Sequence, residues 1–492
     1  MRHFRKTNLA LQFMLSIILI VNYSIAQSKA DKIHELLTTY NQYGILNGSV
    51  LIAEKGNVVY KKAFGFADME WNVPNEIGTK YNVASVTKQF VAMLVLQQME
   101  KGTLRLDGKI SDYLHDYPKA NGNKITIHYL LNHTSGIPNY TDLPSFDGVI
   151  SRTAYPSPQA MLSVFSDSTL QFEPGLKYSY NNSAYFLLGI ILEKTSGKKF
   201  EDLLHEDILE PLHMKNTGLD DQYTLLPKRA LGYTRGILTN THAGIWDRSS
   251  LYTAGGIYST VEDLFLWDQA LYTDKLLKDE YRKLLFTPSI TIDSVTSYGY
   301  GWSMKRVPTK IAHDSVTVVY HTGTITGFNA LIYRVPEKQQ TFIFLNNMLV
   351  GRERLIAMAL GCMNILSGVP YDLPKQSLAE NIGKRYLNSG ISVALQSYPE
   401  LKRDTAHYEL REDEINALGY QLLRKHQRKE ALEIFKLNVK EFPKSSNAYD
   451  SLGEAFISLG DTSNAIVNYT RSIELDPTNL SVRKVLNRLR IK

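Results

Sequence analysis

The chain has 492 residues, of which 43% are hydrophobic and 21% charged, and it carries a formal net charge of +6. This composition excludes a disordered, collagen-like or low-complexity chain, because it supplies enough apolar side chains for a core. Three positive charges (Arg2, Arg5 and Lys6) lie in a segment that we expect to be removed, and the remaining surplus of about +3 is too small to indicate nucleic-acid binding. The single cysteine, Cys362, excludes an intramolecular disulfide and a cysteine-rich metal centre.

The first 26 residues have the pattern of a signal peptide. Three basic residues precede an apolar run over residues 9–21, and Ser24-Ile25-Ala26 supplies small residues before a cleavage site. An uncleaved membrane anchor is the alternative, but the apolar run is short for a span of about 20 residues. We therefore predict cleavage before Gln27, a mature chain with no stable membrane span, and an exported protein that is most simply periplasmic.

The region over residues 27–366 alternates β-rich runs with amphipathic or apolar helical runs. Runs that read as strands occur near both of its ends, at residues 48–53, 58–63, 316–320, 328–335 and 340–345. We predict one α+β domain whose sheet is closed by the N- and C-terminal segments of this region. Residues 367–375, which contain Gly368, Pro370 and Pro374, read as a linker.

Residues 376–492 carry only helical patterns, with an internal repeat of 34 residues. Equivalent pairs at this spacing are Leu418/Leu452, Gly419/Gly453, Ala431/Ala465, Phe435/Tyr469 and Pro443/Pro477. The pattern resembles tetratricopeptide repeats, in which helix pairs stack on one another, and residues 382–398 look like a degenerate preceding repeat. The resemblance implies an all-α module that serves in structural docking or binds a protein or peptide partner.

Ser85 and Lys88 open a long apolar helical run and are spaced to share one helical face. A serine at a buried helix N-terminus is stabilised by the helix dipole as its oxygen becomes negative. A lysine in such a place loses its charge by desolvation and can act as a base. Taken alone, the Ser-x-x-Lys spacing is common by chance, and an N-cap serine beside a surface lysine is the simpler alternative.

Two further segments carry groups that suit the same chemistry. Tyr180 and Asn182 stand before an apolar helical run, which places a phenol and an amide on one loop. His321 follows the β-rich run over 316–320, so we expect it at the end of a strand. The small residues beside it, Gly323 among them, let a substrate backbone approach and pair with the strand edge.

The chain resembles the penicillin-recognising serine hydrolases, which include class C β-lactamases, D-aminopeptidases, DD-peptidases and related esterases. The three segments around Ser85, Tyr180 and His321 occur in the family's order, and the resemblance covers about residues 33–366. Other stretches that match the family's pattern are residues 125–138, 211–214, 254–256 with Ser259, and 298–302. The resemblance implies a β-lactamase-like α+β fold, with an antiparallel sheet flanked by helices and an additional all-helical region.

The resemblance also implies roles for the site residues. Ser85 is the acylated nucleophile, and Lys88 and Tyr180 share the proton transfers of acylation and deacylation. Asn182 positions the substrate amide, and the backbone N–H groups of Ser85 and Thr324 form the oxyanion hole.

The third motif, His321-Thr322-Gly323, departs from the β-lactamase form, in which a lysine stands where this chain has His321. A histidine is mostly neutral at pH 7 unless its surroundings raise its pKa, so His321 would bind a substrate carboxylate poorly. D-aminopeptidases and family esterases carry histidine at this position. We therefore expect His321, Gly323 and Thr324 to contribute to substrate binding, with weak or absent β-lactamase activity.

These observations predict an exported serine hydrolase that cleaves a peptide or amide bond to D-residues, or a carboxylic ester. The alternatives are a true β-lactamase or DD-carboxypeptidase, and a binding protein that has lost turnover. We expect a small peptide or ester as substrate, and neither a cofactor nor a metal. His128 and His133 stand five residues apart, not the four that would suit a helical zinc site, and His133 is expected to be structural.

Overall fold

A computed structural model describes residues 28–309 and 315–491 of the chain. The predicted signal peptide, residues 1–26, lies outside the described residues. Within the described residues, no helix has both the length and the apolar character needed to cross a membrane.

The described chain divides into two compact units. The first contains residues 28–234 and 242–373, and the second contains residues 374–491 together with the short segment 235–241. This segment lies inside the region that the sequence assigns to the first domain, but it belongs to the second unit.

An eight-stranded antiparallel sheet forms the centre of the first unit. Its strands are β1 (Gly48–Glu54), β2 (Asn57–Phe64), β3 (Ile290–Thr291), β4 (Thr296–Tyr298), β5 (Ser303–Pro308), β6 (Ser315–Ile325), β7 (Phe328–Val335) and β8 (Gln340–Asn346). They lie in the order β3-β4-β5-β6-β7-β8-β1-β2, so strands from both ends of the unit meet where β8 pairs with β1. The predicted α+β fold with a shared antiparallel sheet is confirmed.

Strand β6 is longer than the sequence predicts. The prediction ended this strand before His321, whereas β6 continues to Ile325. The extension pairs with β7 as far as the Ile325–Phe328 pair, and this pairing holds Gly323, a residue type with little intrinsic preference for a strand. His321 and Gly323 therefore lie within a strand and not at its end.

Helices cover both faces of this sheet. The long ones are α1 (residues 28–42), α2 (Thr87–Glu100), α3 (Asn182–Ser196), α4 (Val261–Ala270) and α5 (Arg352–Leu366). Shorter helical turns are Ala84–Val86, Ile110–Tyr113, Lys119–Gly122, Ile127–Leu131, Tyr140–Asp142, Ile150–Arg152, Pro158–Leu162, Phe200–Leu204, His205–Leu209, Glu210–Leu212, Arg248–Ser250, Tyr252–Gly255, Asp279–Leu285 and Pro336–Lys338. Short strands outside the main sheet are Phe66–Asp68, Val73–Pro74, Tyr81–Asn82, Gly218–Leu219, Tyr233–Thr234, Thr241–His242, Ile257–Ser259 and Met348–Leu349.

Alternate residues of the sheet belong to two apolar cores. On β1, Leu51 packs into a core shared with α2 and α3, while Val50 and Ile52 pack into a core shared with α1 and α5. This alternation is the period of two expected for a strand that is buried on both faces. Within the described residues of this unit, Arg334 on β7 forms a buried ion pair with Asp268 on α4.

The second unit is mainly helical. Its helices are α6 (Leu378–Gln396), α7 (Tyr398–Arg403), α8 (Glu412–Arg424), α9 (Arg428–Glu441), α10 (Ser446–Ser458), α11 (Thr462–Leu475) and α12 (Leu480–Ile491), with two short strands, Gln376–Ser377 and Tyr408–Glu409. Helix α6 is interrupted at Gly390, whose φ of 79° is not helical. From the segment 235–241, Ile237 packs into the apolar core of this unit.

Candidate active site

Ser85 lies in a tight helical turn, Ala84–Val86, directly before α2. The sequence placed Ser85 on the long helix itself, whereas α2 begins two residues later. Ala84 adopts a left-handed φ of 46°, which costs a residue with a side chain about 1–2 kcal/mol. The N–H of Ala84 donates to Oδ1 of Asn82 at 2.8 Å, which helps to hold this conformation. The turn leaves Ser85 partly exposed between buried neighbours.

Lys88, one turn further on, is fully buried. Its Nζ lies 3.2 Å from Oγ of Ser85, 2.8 Å from Oδ1 of Asn182 and 2.7 Å from the carbonyl oxygen of Ala254. Burial removes water from the ammonium and lowers the pKa of Lys88 well below its usual value.

Two aromatic rings act on Lys88 in the opposite sense. Its Nζ lies 5.0 Å from the ring centre of Tyr180 and 5.5 Å from that of Tyr185. Such ring faces favour the charged ammonium by about 0.5–2 kcal/mol each, whereas burying an unpaired charge costs several kcal/mol. Desolvation is the larger effect, so the site favours a neutral Lys88 amine.

Tyr180 presents its phenol to the same group of atoms. Burial raises the pKa of Tyr180, and a hydrogen bond with Ser85 acts in the opposite direction. The phenol therefore keeps its proton at neutral pH. Burial thus leaves the lysine amine unprotonated, so that it can accept a proton, and keeps the tyrosine a proton donor.

His133 holds the loop that carries Tyr180. Its backbone oxygen accepts the N–H of Ser179 at 2.9 Å, and its Nδ1 accepts the N–H of Asn181 at 3.0 Å. The residues on either side of Tyr180 are therefore fixed to one buried histidine. Burial lowers the pKa of His133 well below its usual value, which keeps Nδ1 available as an acceptor. The structure thus places His133 in a structural position.

Asn182 is the first residue of α3, and neighbouring side chains fix its orientation. Its N–H donates to Oδ1 of Asn139 at 3.0 Å, and its Nδ2 donates to Oγ1 of Thr141 at 3.0 Å. The remaining side-chain oxygen therefore points to Lys88. Asn181 caps the helix by accepting the N–H of Ala184 at 2.8 Å.

The edge of β6 completes the site. Among the described residues, β5 pairs with β6 only as far as Tyr320, and from His321 to Ile325 β6 pairs with β7 on its other side. Gly323 allows the turn that carries Ser85 to approach this edge, because a Cβ at Gly323 would lie 2.0 Å from the carbonyl oxygen of Val83. Thr324 and Ser85 consequently line the same cavity.

His321 is 4% exposed and lies outside the lining of that cavity. Its Nδ1 lies 2.7 Å from the carbonyl oxygen of Thr322, and its Nε2 lies 3.1 Å from the hydroxyl of Tyr298. Burial lowers the pKa of His321 to about 3. The histidine is neutral at pH 7, so it provides no positive charge for a substrate carboxylate.

The cavity beside Ser85 has a volume of about 40 Å³. The residues that line it are mostly apolar or neutral: Ala84, Ser85, Tyr140, Thr141, Asn182, Trp246, Leu251, Ala254, Gly255, Thr324 and Ile325. Several of them come from the loops over residues 139–157 and 223–251. Among the described residues, no cluster of three or more His, Cys, Asp or Glu side chains is arranged to hold a metal ion.

The structure thus brings Ser85, Lys88, Tyr180 and Asn182 into contact and places Thr324 beside them. Gly323 packs against Val83 of the segment that leads to Ser85, and His321 is buried outside the lining of the cavity. Three contributors were not predicted from the sequence: the carbonyl of Ala254, Thr141 and Trp246. The Ala254-Gly255-Gly256 stretch is the only one of these with a sequence signal, because adjacent glycines indicate close backbone approach.

Comparison with known proteins agrees with this architecture. The Beta-lactamase family model matches residues 29–359. Penicillin-binding protein 4* of Bacillus subtilis (strain 168) is 28% identical over 384 residues, which cover 74% of this chain and 83% of that protein.

Solved structures show the same fold. A penicillin-binding protein from Bacillus halodurans is 27% identical with a TM-score of 0.57, over 68% of this chain and 97% of that one. The D-amino acid amidase from Ochrobactrum anthropi SV3, solved with L-phenylalanine, is 22% identical with a TM-score of 0.57, over 68% and 99% of the two chains. The chain therefore belongs to the Beta-lactamase family, and it is a serine hydrolase of that family.

Proposed function

We propose that the chain hydrolyses its substrate through a covalent acyl-enzyme on Oγ of Ser85. The observation that carries this proposal is the set of contacts around Nζ of Lys88. A neutral amine has two N–H groups and one lone pair. The oxygens of Ala254 and Asn182 can only accept hydrogen bonds, so they take both N–H groups, and the lone pair is left to face the hydroxyl of Ser85.

In acylation, the hydroxyl proton of Ser85 moves to Nζ of Lys88 while Oγ bonds to the carbonyl carbon of the substrate. The backbone N–H groups of Ser85 and Thr324 stabilise the resulting oxyanion, and one such donor contributes about 3–4 kcal/mol. Collapse of the intermediate breaks the bond to the leaving group, which takes a proton from the Tyr180 phenol. The Lys88 ammonium then returns its proton to Tyr180. In deacylation, water attacks the acyl-enzyme through the same proton transfers, and Oγ of Ser85 is the leaving group.

For the substrate, we propose a peptide or amide bond to D-residues, or a carboxylic ester. The neutral state of His321 supports this choice over a true β-lactamase or DD-carboxypeptidase, whose substrates carry a carboxylate. Because two similar proteins are named penicillin-binding proteins, those two activities remain the alternatives. The third alternative, a binding protein without turnover, is disfavoured because the contacts around Lys88 suit proton transfer.

The test compares p-nitrophenyl ester hydrolysis by the wild type, by Ser85→Ala and by the control variant Ser294→Ala. Ser294 is exposed in the loop between β3 and β4 and does not line the cavity beside Ser85, so its hydroxyl should not matter. We expect activity in the wild type and the control and none above background in Ser85→Ala. Equal rates in all three proteins would refute the proposal. Rapid hydrolysis of nitrocefin by the wild type would instead identify the enzyme as a β-lactamase.

We propose that residues 376–492 form a tetratricopeptide-repeat module that docks to a protein or peptide partner. Two observations support the repeat: α10 and α11 begin and end 34 residues after α8 and α9, and the two helix pairs repeat one contact. A Cβ on Gly419 would lie 2.6 Å from the ring of Phe435, and one on Gly453 would lie 2.9 Å from the ring of Tyr469.

This repeat is tested by Gly419→Val and Gly453→Val, with Gly148→Val as a reference, because a Cβ at Gly148 meets no neighbour and its φ is not left-handed. The two valine variants should lower the melting temperature by similar amounts if the two positions are equivalent. A lower melting temperature in only one of the two variants would contradict the equivalence of the two glycine positions.

We also propose that residues 1–26 direct export and are then removed. The pattern of basic, apolar and small residues supports this proposal. N-terminal sequencing of the protein recovered from the periplasmic fraction should begin at Gln27. Recovery of an intact chain from the cytoplasm would contradict it.

A further inference from the structure

Trp246 separates two cavities of the first unit. The smaller, of about 40 Å³, contains Ser85, and the larger, of about 310 Å³, is lined in part by Leu231 and Phe328. Trp246 is the residue that lines both of them. Its side chain therefore forms the wall that ends the space beside the nucleophile.

Neighbouring groups hold this wall in place. The indole of Trp246 packs edge-on against Phe146, with ring centres 4.8 Å apart. Phe146 is buried and in turn contacts Tyr140, whose hydroxyl donates to the carbonyl oxygen of Ser250 at 2.7 Å. Directly after Trp246, the N–H of Asp247 donates to the carbonyl oxygen of Ser151 at 2.7 Å. The tryptophan is thus fixed both through its ring and through its backbone.

We propose that Trp246 restricts the acyl group of the substrate to a short, uncharged chain. The proposal rests on the proposed acyl-enzyme on Ser85 and names the substrate class of that site. The acyl group remains bonded to Oγ while the leaving group departs into solvent, so the confined cavity beside Ser85 holds the acyl group. A chain longer than this cavity meets the indole of Trp246.

The restriction to uncharged groups follows from the lining. Among the described residues that line the smaller cavity, none carries a charged side chain. A carboxylate there would be buried without a cationic partner, which is unfavourable. The nearest arginines beyond the wall, Arg229 and Arg248, are both paired with the buried Asp220, at 2.8 and 3.2 Å. Leu231, Ile245 and Phe328 give the larger cavity an apolar part, which can admit an extended apolar chain once the wall is removed.

The experiment measures kcat/KM for p-nitrophenyl acetate, butyrate and octanoate with the wild type, Trp246→Ala and Trp246→Phe. Trp71→Ala is the matched control, because Trp71 is 80% exposed and lines neither cavity. Since each misfitting methylene group can cost about tenfold or more, we expect the wild type to prefer butyrate over octanoate by at least about tenfold. Trp246→Ala should reduce that preference by about tenfold or more, Trp246→Phe by less, and Trp71→Ala not at all.

The charge requirement is tested with two acyl groups of four carbons, butyryl and hemisuccinyl. The wild type should prefer the butyryl ester by about tenfold or more, because the cavity has no partner for the succinyl carboxylate. Equal kcat/KM values for the two esters would overturn this part of the proposal.

The outcomes separate this inference from the proposed function. If the acetate ester acylates Ser85 but the chain-length preference is the same in the wild type and both Trp246 variants, the inference is wrong and the proposed function stands. If no ester acylates Ser85 in the wild type, the proposed function fails and this inference fails with it. Acylation by acetate in Trp246→Ala also shows that the variant is folded.

Discussion

Replacing Lys88 by methionine should abolish most of the acylation of Ser85. Methionine is similar in length and uncharged, so it fills the buried space, but its thioether cannot take the serine proton. In the structure Nζ lies 3.2 Å from Oγ of Ser85, within reach for that transfer. A positioned general base contributes about 10²–10⁴-fold, so the barrier to acylation should rise by about 3–5 kcal/mol.

The assay is single-turnover release of p-nitrophenol from an acetate ester, measured across pH. The matched control is Lys283→Met, because the Lys283 side chain is 71% exposed and lies on a surface helix. The control should acylate at the wild-type rate. Lys88→Met should lose about two to four orders of magnitude.

The pH dependence gives an independent check on the same residue. Lys88 is active as a base only when neutral, so acylation should rise with pH through its pKa and level off above it. Because burial lowers that pKa, the midpoint of the rise should fall well below 10.5. The rise should be absent from the residual activity of Lys88→Met.

Two results would refute this reasoning. One is a Lys88→Met variant that acylates within about threefold of the wild type, since a base worth so little is not general-base catalysis. The other is a wild-type midpoint near the ordinary lysine value, because the buried position would then not favour the neutral amine.

Three further predictions follow from particular contacts. Tyr180→Phe should slow acylation by a p-nitroanilide far more than by a p-nitrophenyl ester, because only the anilide leaving group needs a proton; equal slowing would contradict the role of Tyr180 as proton donor. Gly323→Ala should lower both kcat/KM and the melting temperature, because its Cβ would lie 2.0 Å from the carbonyl oxygen of Val83; unchanged values would show that the turn can move. Asp268→Asn should lower the free energy of unfolding by about 3–5 kcal/mol in urea titrations, because it leaves Arg334 buried without its anion; a change below about 1 kcal/mol would refute this.

The sheet could be predicted from the sequence where the strands are rich in β-branched and aromatic residues. The strand predicted over residues 328–335 has those bounds in the structure, and β8 ends one residue beyond the prediction. The end of β6 could not be predicted in the same way, because His321 and Gly323 are held in the strand by pairing with β7. The intrinsic strand preference of a residue does not account for such tertiary pairing.

The sequence predicted those residues of the candidate site that lie within a motif. Ser85 and Lys88 are close in the structure because they are close in the chain, and Asn182 joins them at the start of α3. The left-handed backbone of Ala84 has no sequence signal, since it is set by Asn82 and by packing. It moves Ser85 out of the long helix on which it was predicted.

Two of the residues that line the cavity belong to no sequence motif. Thr141 and Trp246 lie on two loops, and their places are fixed by contacts with Asn182 and Phe146 that only the folded chain provides. Substrate preference is therefore the part of the function that the sequence left open. The burial that neutralises His321 and Lys88 is likewise a property of the fold, although a neutral histidine was expected from its ordinary pKa.

The most direct test of the central claim is the mass of the chain during turnover. The protein is mixed with a p-nitrophenyl ester, quenched in acid, and measured intact and after proteolysis, beside Ser85→Ala. We predict a mass increase of one acyl group per wild-type chain, located on the peptide that contains Ser85, and no increase in the variant. An adduct on another residue, or the same labelling of both proteins, would contradict the proposal that Ser85 is the nucleophile.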